Sequence, residues 1–375
     1  MKILINAISA KLGGIVTYTS NLAHSLQRRG VDFRLAVPKS LAHLPNAIAF
    51  PASDYGPMRR FLWEQTVWRH YVRQWRPDIL FSSANYALLA SPVPQVLLVR
   101  EGGLFDPFYL RMIGPEQGVK VALFRKLRRQ LIVTSMRLSN RTMVPSQALF
   151  DLLHTYVPEV SASCKVVPYG TVLGNFPACG RRPWRSDGTL RILYVGAYYP
   201  HKAPADLVLA AENMNDNGMP CRLKLTMDED QIAATPGSAW DLFHVRRAMA
   251  KGLVELGAVP YASLAALYRD HDVFVFPSIS ETFGHPMVEA MAAGIPVIAA
   301  DTAINREILG DCARYYPPLR SSALADAIRA LDAAPADRER MVAKGRERVE
   351  KQFDWETHVD RLLAEFESVL RARRP

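Results

Sequence analysis

Cysteine is scarce: 375 residues hold only Cys164, Cys179, Cys221 and Cys312, none at metal-ligand spacing from another. That argues against a disulfide scaffold and against a cysteine-held metal, and favours free thiols in a reducing cytoplasm. The nine histidines show no metal pattern either. Long apolar runs are also missing, so no window reaches the length of a membrane span. The opening "MKILINAISAKLGG" is too short and wrongly flanked for a signal peptide. No aromatic-interleaved basic stretch or recognition-helix motif is found, and nucleic acid is not expected as a partner.

What the chain does have is a globular share of apolar residues, 49%, and more length than one core comfortably serves. Two domains are expected, 1–180 and 181–355, followed by a C-terminal helix at 356–375 that could pack on either. The net charge of +10 is unevenly spread. Residues 1–180 hold 21 Lys and Arg against 9 Asp and Glu; residues 181–375 hold 25 against 27. The basic character therefore belongs to the first half, and much of it lies in 111–141, with eight basic residues and one acid. A helix there places Leu123, Phe124, Leu127 and Leu131 on one face, with Arg125, Lys126, Arg128 and Arg129 largely off it. That pattern suits a peripheral helix, within 117–138, docking on an anionic membrane surface. An ordinary surface helix that packs its leucines on its own sheet accounts for the pattern equally well.

Short apolar strands alternate with helices. "KILINAI" (2–8), "DFRLAVP" (32–38), "PDILFSS" (77–83) and "PQVLLVRE" (94–101) read as strands, and 15–29 and 59–75 as helices. The arrangement recurs from residue 190, where "LRILYVGAYYPHKAPADLVLAAENM" is strand, glycine, polar loop and helix. Further strands are expected at 221–227, 253–259, 273–278, 295–300 and 313–318. The Pro-, Gly- and Arg-rich stretch 175–188 reads as the linker. The fold class is α/β, with two doubly wound, Rossmann-like domains facing across a cleft. Trp63, Trp68 and Trp75, at helical distances, are read as packing residues.

Ligands of such sheets lie at the carboxyl ends of the strands. The most informative stretch stands at one: "FPSISETFGHPMVEAMAAGIPVIAAD" (276–301), with Glu281 and Glu289 either side of a Gly-His-Pro step. Gly284 permits close backbone approach, and Pro286 suits the first turn of a helix. The helix N-terminus favours an oxygen-rich or anionic ligand, and each carboxylate can accept from two adjacent hydroxyls. Read blandly, Glu281 caps the helix and Glu289 is a surface acid, but the apolar flanks make a solvated face a poor fit.

This stretch resembles the signature of the family 4 retaining glycosyltransferases, the "glycosyl transferases group 1", in which two glutamates separated by seven residues precede a segment like "EAMAAGIPVIA". The early "GG" turn, "VPS" (144–146), "VVPYGT" (166–171), "YVGAYYPHK" (194–202) and "NREILGDCARYY" fall in the family's order. The resemblance covers most of the chain and implies the GT-B architecture. It further implies that Glu281 contacts the donor sugar, helped by amides around Phe283, Gly284 and Met287, with His285 at the reaction centre. Glu289 accepts from the nucleotide ribose, Lys202 neutralises the diphosphate, and Gly13 and Gly14 let the first turn approach it. The base lies near 257–261, around Val259.

Two departures stand out. The arginine that usually follows the glycine at 196 is Ala197 here, so one cation of the diphosphate clamp is missing or is replaced by His201 or an arginine. Many relatives have a histidine near residue 100, where this chain has Arg100 and Glu101; these are expected to touch acceptor or reacting sugar, unless they form a mutual surface ion pair. No Asp-x-Asp motif occurs, and "DED" (228–230) lies in a polar loop. The expectation is a metal-independent enzyme without cofactor, cytoplasmic or peripheral on the inner face of the membrane. It would move a sugar from a nucleotide diphosphate sugar to a saccharide or lipid-linked acceptor, such as a lipopolysaccharide or cell-surface polysaccharide precursor. An epimerase or phosphorylase of the same fold, or a non-catalytic nucleotide-sugar binder, remain open alternatives.

Overall fold

The computed structural model describes residues 1–11, 13–177 and 182–372. Cys179 and the central part of the expected linker, 178–181, lie outside the described residues. The chain forms two compact units. The first is Met1–Phe105, Leu123–Tyr169 and Glu356–Pro375; the second is Asp106–Ala122 and Gly170–Trp355. The units do not follow the expected division at 180. The segment 106–122 belongs with the second unit, and the C-terminal helix Trp355–Arg371 returns to the first.

The first unit is built on seven parallel strands: β1 (Lys2–Asn6), β2 (Asp32–Val37), β3 (Ala47–Ala49), β4 (Ile79–Ser82), β5 (Gln95–Leu98), β6 (Arg141–Val144) and β7 (Cys164–Val166). Their spatial order is β3-β2-β1-β4-β5-β6-β7. Sequence direction reverses between β1 and β4, the switch point at which neighbouring loops diverge. Residues of β4 and β5 are buried on both faces, as the apolar runs require of a sheet covered by helices. Trp68 is fully buried with Leu4, Ile8 and Leu80, and Trp63 and Trp75 pack against that cluster. The helix Trp355–Arg371 buries Val359, Leu362, Phe366 and Val369. Its Phe366 ring lies 5.2 Å from that of Phe81. Glu356 is gripped by Arg28 at 2.6 Å, Arg29 at 2.8 Å and the Ser25 hydroxyl at 2.8 Å.

The second unit holds six parallel strands: β8 (Leu190–Tyr194), β9 (Cys221–Leu225), β10 (Val254–Leu256), β11 (Val273–Phe276), β12 (Val297–Ala300) and β13 (Ala313–Tyr316). The order β10-β9-β8-β11-β12-β13 puts its switch point between β8 and β11. The segment from 106 contributes Tyr109, which is buried with Ala203 and Ile279, with Leu110, Ile113 and Leu319 packed against them. Asp106 fixes the start of its helix Pro107–Met112 by accepting from the amides of Phe108 and Tyr109.

The helix Gly118–Leu138 is as long as the basic stretch suggests, but its faces are not those of a helix packed by its leucines. Leu123, Phe124 and Leu127 are 69%, 59% and 42% exposed, and the buried side is Ile132, Val133, Ser135 and Met136. Arg125 and Arg129 are half-buried. The Arg129 guanidinium lies 5.0 Å from the Tyr156 ring and 5.9 Å from that of Phe105. Of the four expected surface cations, only Lys126 and Arg128 are exposed.

In the second unit the chain runs beside itself at Gly170–Thr171 and Phe353–Trp355. Thr171 donates its amide to the Phe353 carbonyl at 2.7 Å. A Cβ on Gly170 would lie 2.5 Å from the Asp354 carbonyl oxygen and the Trp355 Cα. Both are backbone atoms that cannot swing aside. Gly170→Ala is expected to cost about 2 kcal/mol by overpacking, read as a fall in the denaturation midpoint at unchanged slope.

Candidate active site

The glutamates of the 276–301 stretch lie where the second sheet reverses direction. β8 leads through the turn Pro200–Lys202 into the helix Pro204–Asp216, and β11 leads through 277–284 into the helix His285–Ala293. The two loops are tied by a backbone hydrogen bond from Ile279 N–H to the His201 carbonyl, 2.9 Å. Asn305 adds a second anchor, its amide donating to the carbonyls of Ser278 at 3.2 Å and Ala300 at 2.8 Å. This scaffold brings the Lys202 ammonium onto the Glu281 carboxylate, both side chains only 11% exposed.

Burial pushes the Glu281 carboxyl up, but the Lys202 ammonium, His201 and hydrogen bonds from Lys202 and Ser278 outweigh it. They hold the group below the usual carboxylate range. His201 Nε2 lies 3.9 Å from Glu281. Burial and the neighbouring Lys202 charge lower His201 to about 4, against the pull of Glu281. At neutral pH His201 is therefore uncharged and cannot replace the missing arginine of position 197 as a cation. Its ring stacks on Tyr199 and meets Tyr109 edge-on, with centroids 5.6 and 6.0 Å apart.

Gly284 adopts a left-handed conformation, φ 80° and ψ 63°, at the N-cap of the helix His285–Ala293. A Cβ there would lie 2.5 Å from Met287 Cε and about as close as contact allows to the Phe276 ring, so the turn needs glycine. The helix starts one residue before Pro286. Of the amides expected to meet a ligand, that of Met287 already donates to the Gly284 carbonyl at 3.0 Å, because the cap closes its own first turn. Phe283 is buried, with its ring 5.2 Å from His285 and 5.5 Å from Phe353.

Glu289 is 6% exposed rather than a surface acid. Burial pushes its carboxyl up to about 7, while hydrogen bonds from Tyr268 and Tyr261 pull the other way. The Tyr268 hydroxyl lies 3.2 Å from Glu289 Oε2 and 3.2 Å from the Pro286 carbonyl. Tyr261 sits two residues beyond Val259 in the loop after β10, which brings the 257–261 loop to Glu289. Sequence reasoning missed both tyrosines. Tyr268 follows the apolar "LAAL" on one helical face; only its position four residues before the buried Asp272–Phe276 run hinted at burial. Ser278, the second support of Glu281, stood in the quoted stretch but carried no signal of its own.

Lys202, His201, Glu281, Phe283, Gly284, His285, Met287, Glu289 and Val259 thus belong to the second unit. Gly13, Gly14, Arg100 and Glu101 belong to the first. Gly13 has φ 70° and precedes the helix Gly14–Arg28 after β1. Arg100 and Glu101 follow β5 and do not pair with each other. Glu101 takes Arg128 at 2.6 Å. The Arg100 guanidinium lies 5.5 Å from the Tyr18 ring and 5.4 Å from that of Tyr169.

Comparison with known proteins decides the family. Residues 12–173 match the family described as "Glycosyltransferase Family 4", and residues 181–348 match "Glycosyl transferases group 1". The chain is a family 4 glycosyltransferase. It is 27% identical over 373 residues to a phosphatidyl-myo-inositol mannosyltransferase of Mycobacterium leprae, covering 95% of this chain and 93% of that one. Among solved structures, this glycosyltransferase is similar to a sucrose-phosphate synthase from Thermosynechococcus elongatus, with a TM-score of 0.78 at 19% identity over 99% and 100% of the chains. It is also similar to Anabaena HepE in complex with UDP-glucose, with a TM-score of 0.74 at 16% identity over 98% and 100%. Both likenesses support the GT-B fold.

The Glu289 shift has a consequence for stability. Its folded-state value lies above the ordinary carboxylate value, so between about pH 4.5 and 7 the folded glycosyltransferase keeps a proton that the unfolded chain releases. Stability contributed by this group is present at low pH and is lost as pH rises through 7, by an amount on the order of 3 kcal/mol. Denaturation of Glu289→Gln beside the wild type is expected to shift in favour of Gln between pH 5 and pH 8. A difference that does not change with pH contradicts the burial argument.

Proposed function

We propose that this glycosyltransferase transfers a sugar, with retention at the anomeric carbon, from a nucleotide diphosphate sugar to a hydroxyl of an acceptor held at an anionic membrane surface. One observation carries the donor reading. The Lys202 ammonium and the largely buried Glu281 carboxylate meet on the loops at the switch point of the second sheet, where α/β sheets take ligands, and a second carboxylate, the buried Glu289, lies one turn into the helix that follows. HepE, a structural neighbour, was solved with UDP-glucose, which supports the same class of donor here.

In this reading Glu281 accepts from hydroxyls of the transferred sugar and fixes its orientation. Glu289 accepts from the ribose hydroxyls, with Tyr261 and Tyr268 setting its position. Lys202 reaches the diphosphate. The bond from the anomeric carbon to the diphosphate oxygen breaks, and its electron pair leaves on the diphosphate. The acceptor oxygen bonds to the anomeric carbon on the same face, and its proton passes to the departing phosphate. Lys202 stabilises the developing negative charge, so no metal ion and no cofactor is assigned a step. Because its ammonium is paired in advance with Glu281, it is in place before the donor arrives.

For the acceptor, the support is the exposed face of the helix Gly118–Leu138 in an acceptor-side half of strongly positive charge. Leu123, Phe124 and Leu127 face solvent, and Lys126 flanks them. Apolar residues of this size, beside a lysine and on a basic background, suit shallow insertion into an anionic bilayer. The M. leprae relative is named for phosphatidyl-myo-inositol, a membrane lipid. Among the described residues no helix is long and apolar enough to cross a membrane, so the proposed association is peripheral.

Two experiments check these assignments. A thermal-shift panel of nucleotide diphosphate sugars identifies the donor, because a ligand of the folded state raises the melting point with occupancy. With that donor, Glu281→Gln is expected to lower kcat about 100-fold without raising the donor KM. Glu289→Ala is expected to weaken nucleotide binding by about 10- to 100-fold, and chelator is expected to leave the wild-type rate unchanged. Wild-type kinetics in both variants contradict the donor site. Separately, partitioning onto anionic phosphatidylglycerol vesicles is expected to fall at least about 10-fold in the double variant Leu123→Ser, Phe124→Ser, and less, in a salt-dependent way, in Lys126→Glu. Unchanged partitioning in the double variant removes the membrane reading and leaves the donor site standing.

A further inference from the structure

The turn that carries Lys202 is gripped at both ends by one carboxylate, that of Asp241. This residue lies in the first turn of the helix Ala239–Ala250 and is 9% exposed. Its Oδ2 accepts from the Tyr198 hydroxyl at 2.8 Å, and its Oδ1 from the Ala205 amide at 3.1 Å. The two donors stand on either side of residues 199–204, which present His201 and Lys202. Tyr198 is buried, and its own amide donates to the Gln231 side chain at 3.2 Å.

The helix Pro204–Asp216 needs an acceptor for its first amides. The residue before a helix usually supplies one, but here that residue is Ala203, which has no polar side chain and stands in the left-handed conformation, φ 43° and ψ 52°. A residue with a Cβ keeps that conformation only where its surroundings impose it. Asp241 therefore caps the helix from another element, taking the amide of its second residue. Burial pushes the Asp241 carboxyl up to about 6, against the hydrogen bonds of Tyr198 and Ala205, and Glu116 adds to the rise; no cation is among the groups acting on it. A buried carboxyl without a cation is held at a cost. What it provides, and a serine would not, is a pair of acceptor oxygens, one for each end of the turn. Between those ends the turn closes on itself, the Lys202 amide donating to the Tyr199 carbonyl at 2.8 Å, so a shift at either end carries Lys202 with it.

We propose that Asp241 is a positioning residue for the donor phosphates: by holding Tyr198 and Ala205 together it sets where Lys202 meets the diphosphate. The proposal rests on the donor reading and adds to it a residue that acts only through Lys202. A lysine carries its charge on a flexible four-carbon stem, so the backbone beneath it must be fixed if the ammonium is to be in place before the donor arrives. Placement counts for more in this chain because Ala197 stands where an arginine would share the task and His201 is uncharged at neutral pH. A cap that served only the stability of the second unit would affect every ligand of that unit alike. A positioning residue affects the diphosphate, and only while Lys202 is present.

The test uses the full chain and calorimetric titration with UDP and GDP and with the monophosphates UMP and GMP, continuing with the base that binds. Asp241→Asn keeps the size of the side chain and loses one acceptor. It is expected to weaken the diphosphate about 10-fold and the monophosphate by less than about 2-fold. Tyr198→Phe, which leaves the carboxylate and the ring in place, is expected to act in the same direction by about 3-fold. In a Lys202→Ala background, itself weakened toward the diphosphate, neither substitution is expected to change diphosphate binding beyond about 2-fold, because residues that act through one group do not add. Equal losses for diphosphate and monophosphate, losses that add to that of Lys202→Ala, or wild-type diphosphate binding in both single variants each overturn the proposal. Should Asp241→Asn fail to fold, Tyr198→Phe decides by the same comparison. If the wild type binds neither diphosphate, or Lys202→Ala binds it as the wild type does, the donor reading itself fails and the proposal falls with it.

Discussion

The charge of Glu281 survives in an almost dry strand-to-helix turn because Lys202 arrives on a loop from a different strand. Neither group would be tolerated there alone: removing one partner of a buried pair leaves the other without compensation and costs several kcal/mol. Every other requirement of the second unit's site follows from keeping that encounter. The 201 and 279 loops must be tied by a main-chain hydrogen bond, the 278 carbonyl must be held by Asn305, and Gly284 must turn left-handed to start the helix behind them. The parallel sheet supplies the frame, since only adjacent strands β8 and β11 can bring these two loops side by side.

Only seven residues separate the two glutamates, yet their electrostatic states differ. Glu281 is fixed as an anion by a cation. Glu289 has only phenol hydroxyls for company and stays near the point of taking up a proton. The pair therefore does not resemble two carboxylates sharing the acid and nucleophile duties of a hydrolase, whose roles depend on facing one bond. One holds a constant charge beside an ammonium. The other responds to the ligand, and hydroxyl donors arriving at it favour its ionised form.

Much of the fold was legible because apolar runs of four to six residues, punctuated by glycine and proline, mark buried parallel strands. Lys2–Asn6, Ile79–Ser82, Leu190–Tyr194 and Val273–Phe276 all fall inside the expected runs. Ala47–Ala49 and Cys164–Val166 did not stand out, since edge strands of three residues carry too little pattern. Exchange of segments between units was not legible at all. That 106–122 joins the second unit depends on Tyr109 finding Ala203 and Ile279, a contact no local periodicity encodes. For the site, the turn and its two acids could be read from residue types. The protonation of Glu289, the neutrality of His201 and the supporting tyrosines could not, because burial from several strands decides them. The basic helix shows the same limit. Periodicity put Leu123 and Leu127 on one face correctly, but it could not say that this face looks outward while Arg125 and Arg129 are drawn inward.

The most direct test is a crystal structure of the protein grown with the nucleotide diphosphate sugar that stabilises it. Density is expected for the diphosphate within hydrogen-bond distance of Lys202 Nζ, for the ribose hydroxyls on Glu289, and for sugar hydroxyls on Glu281. A donor found at any other place, with Lys202 and Glu281 still closed on each other, contradicts the account.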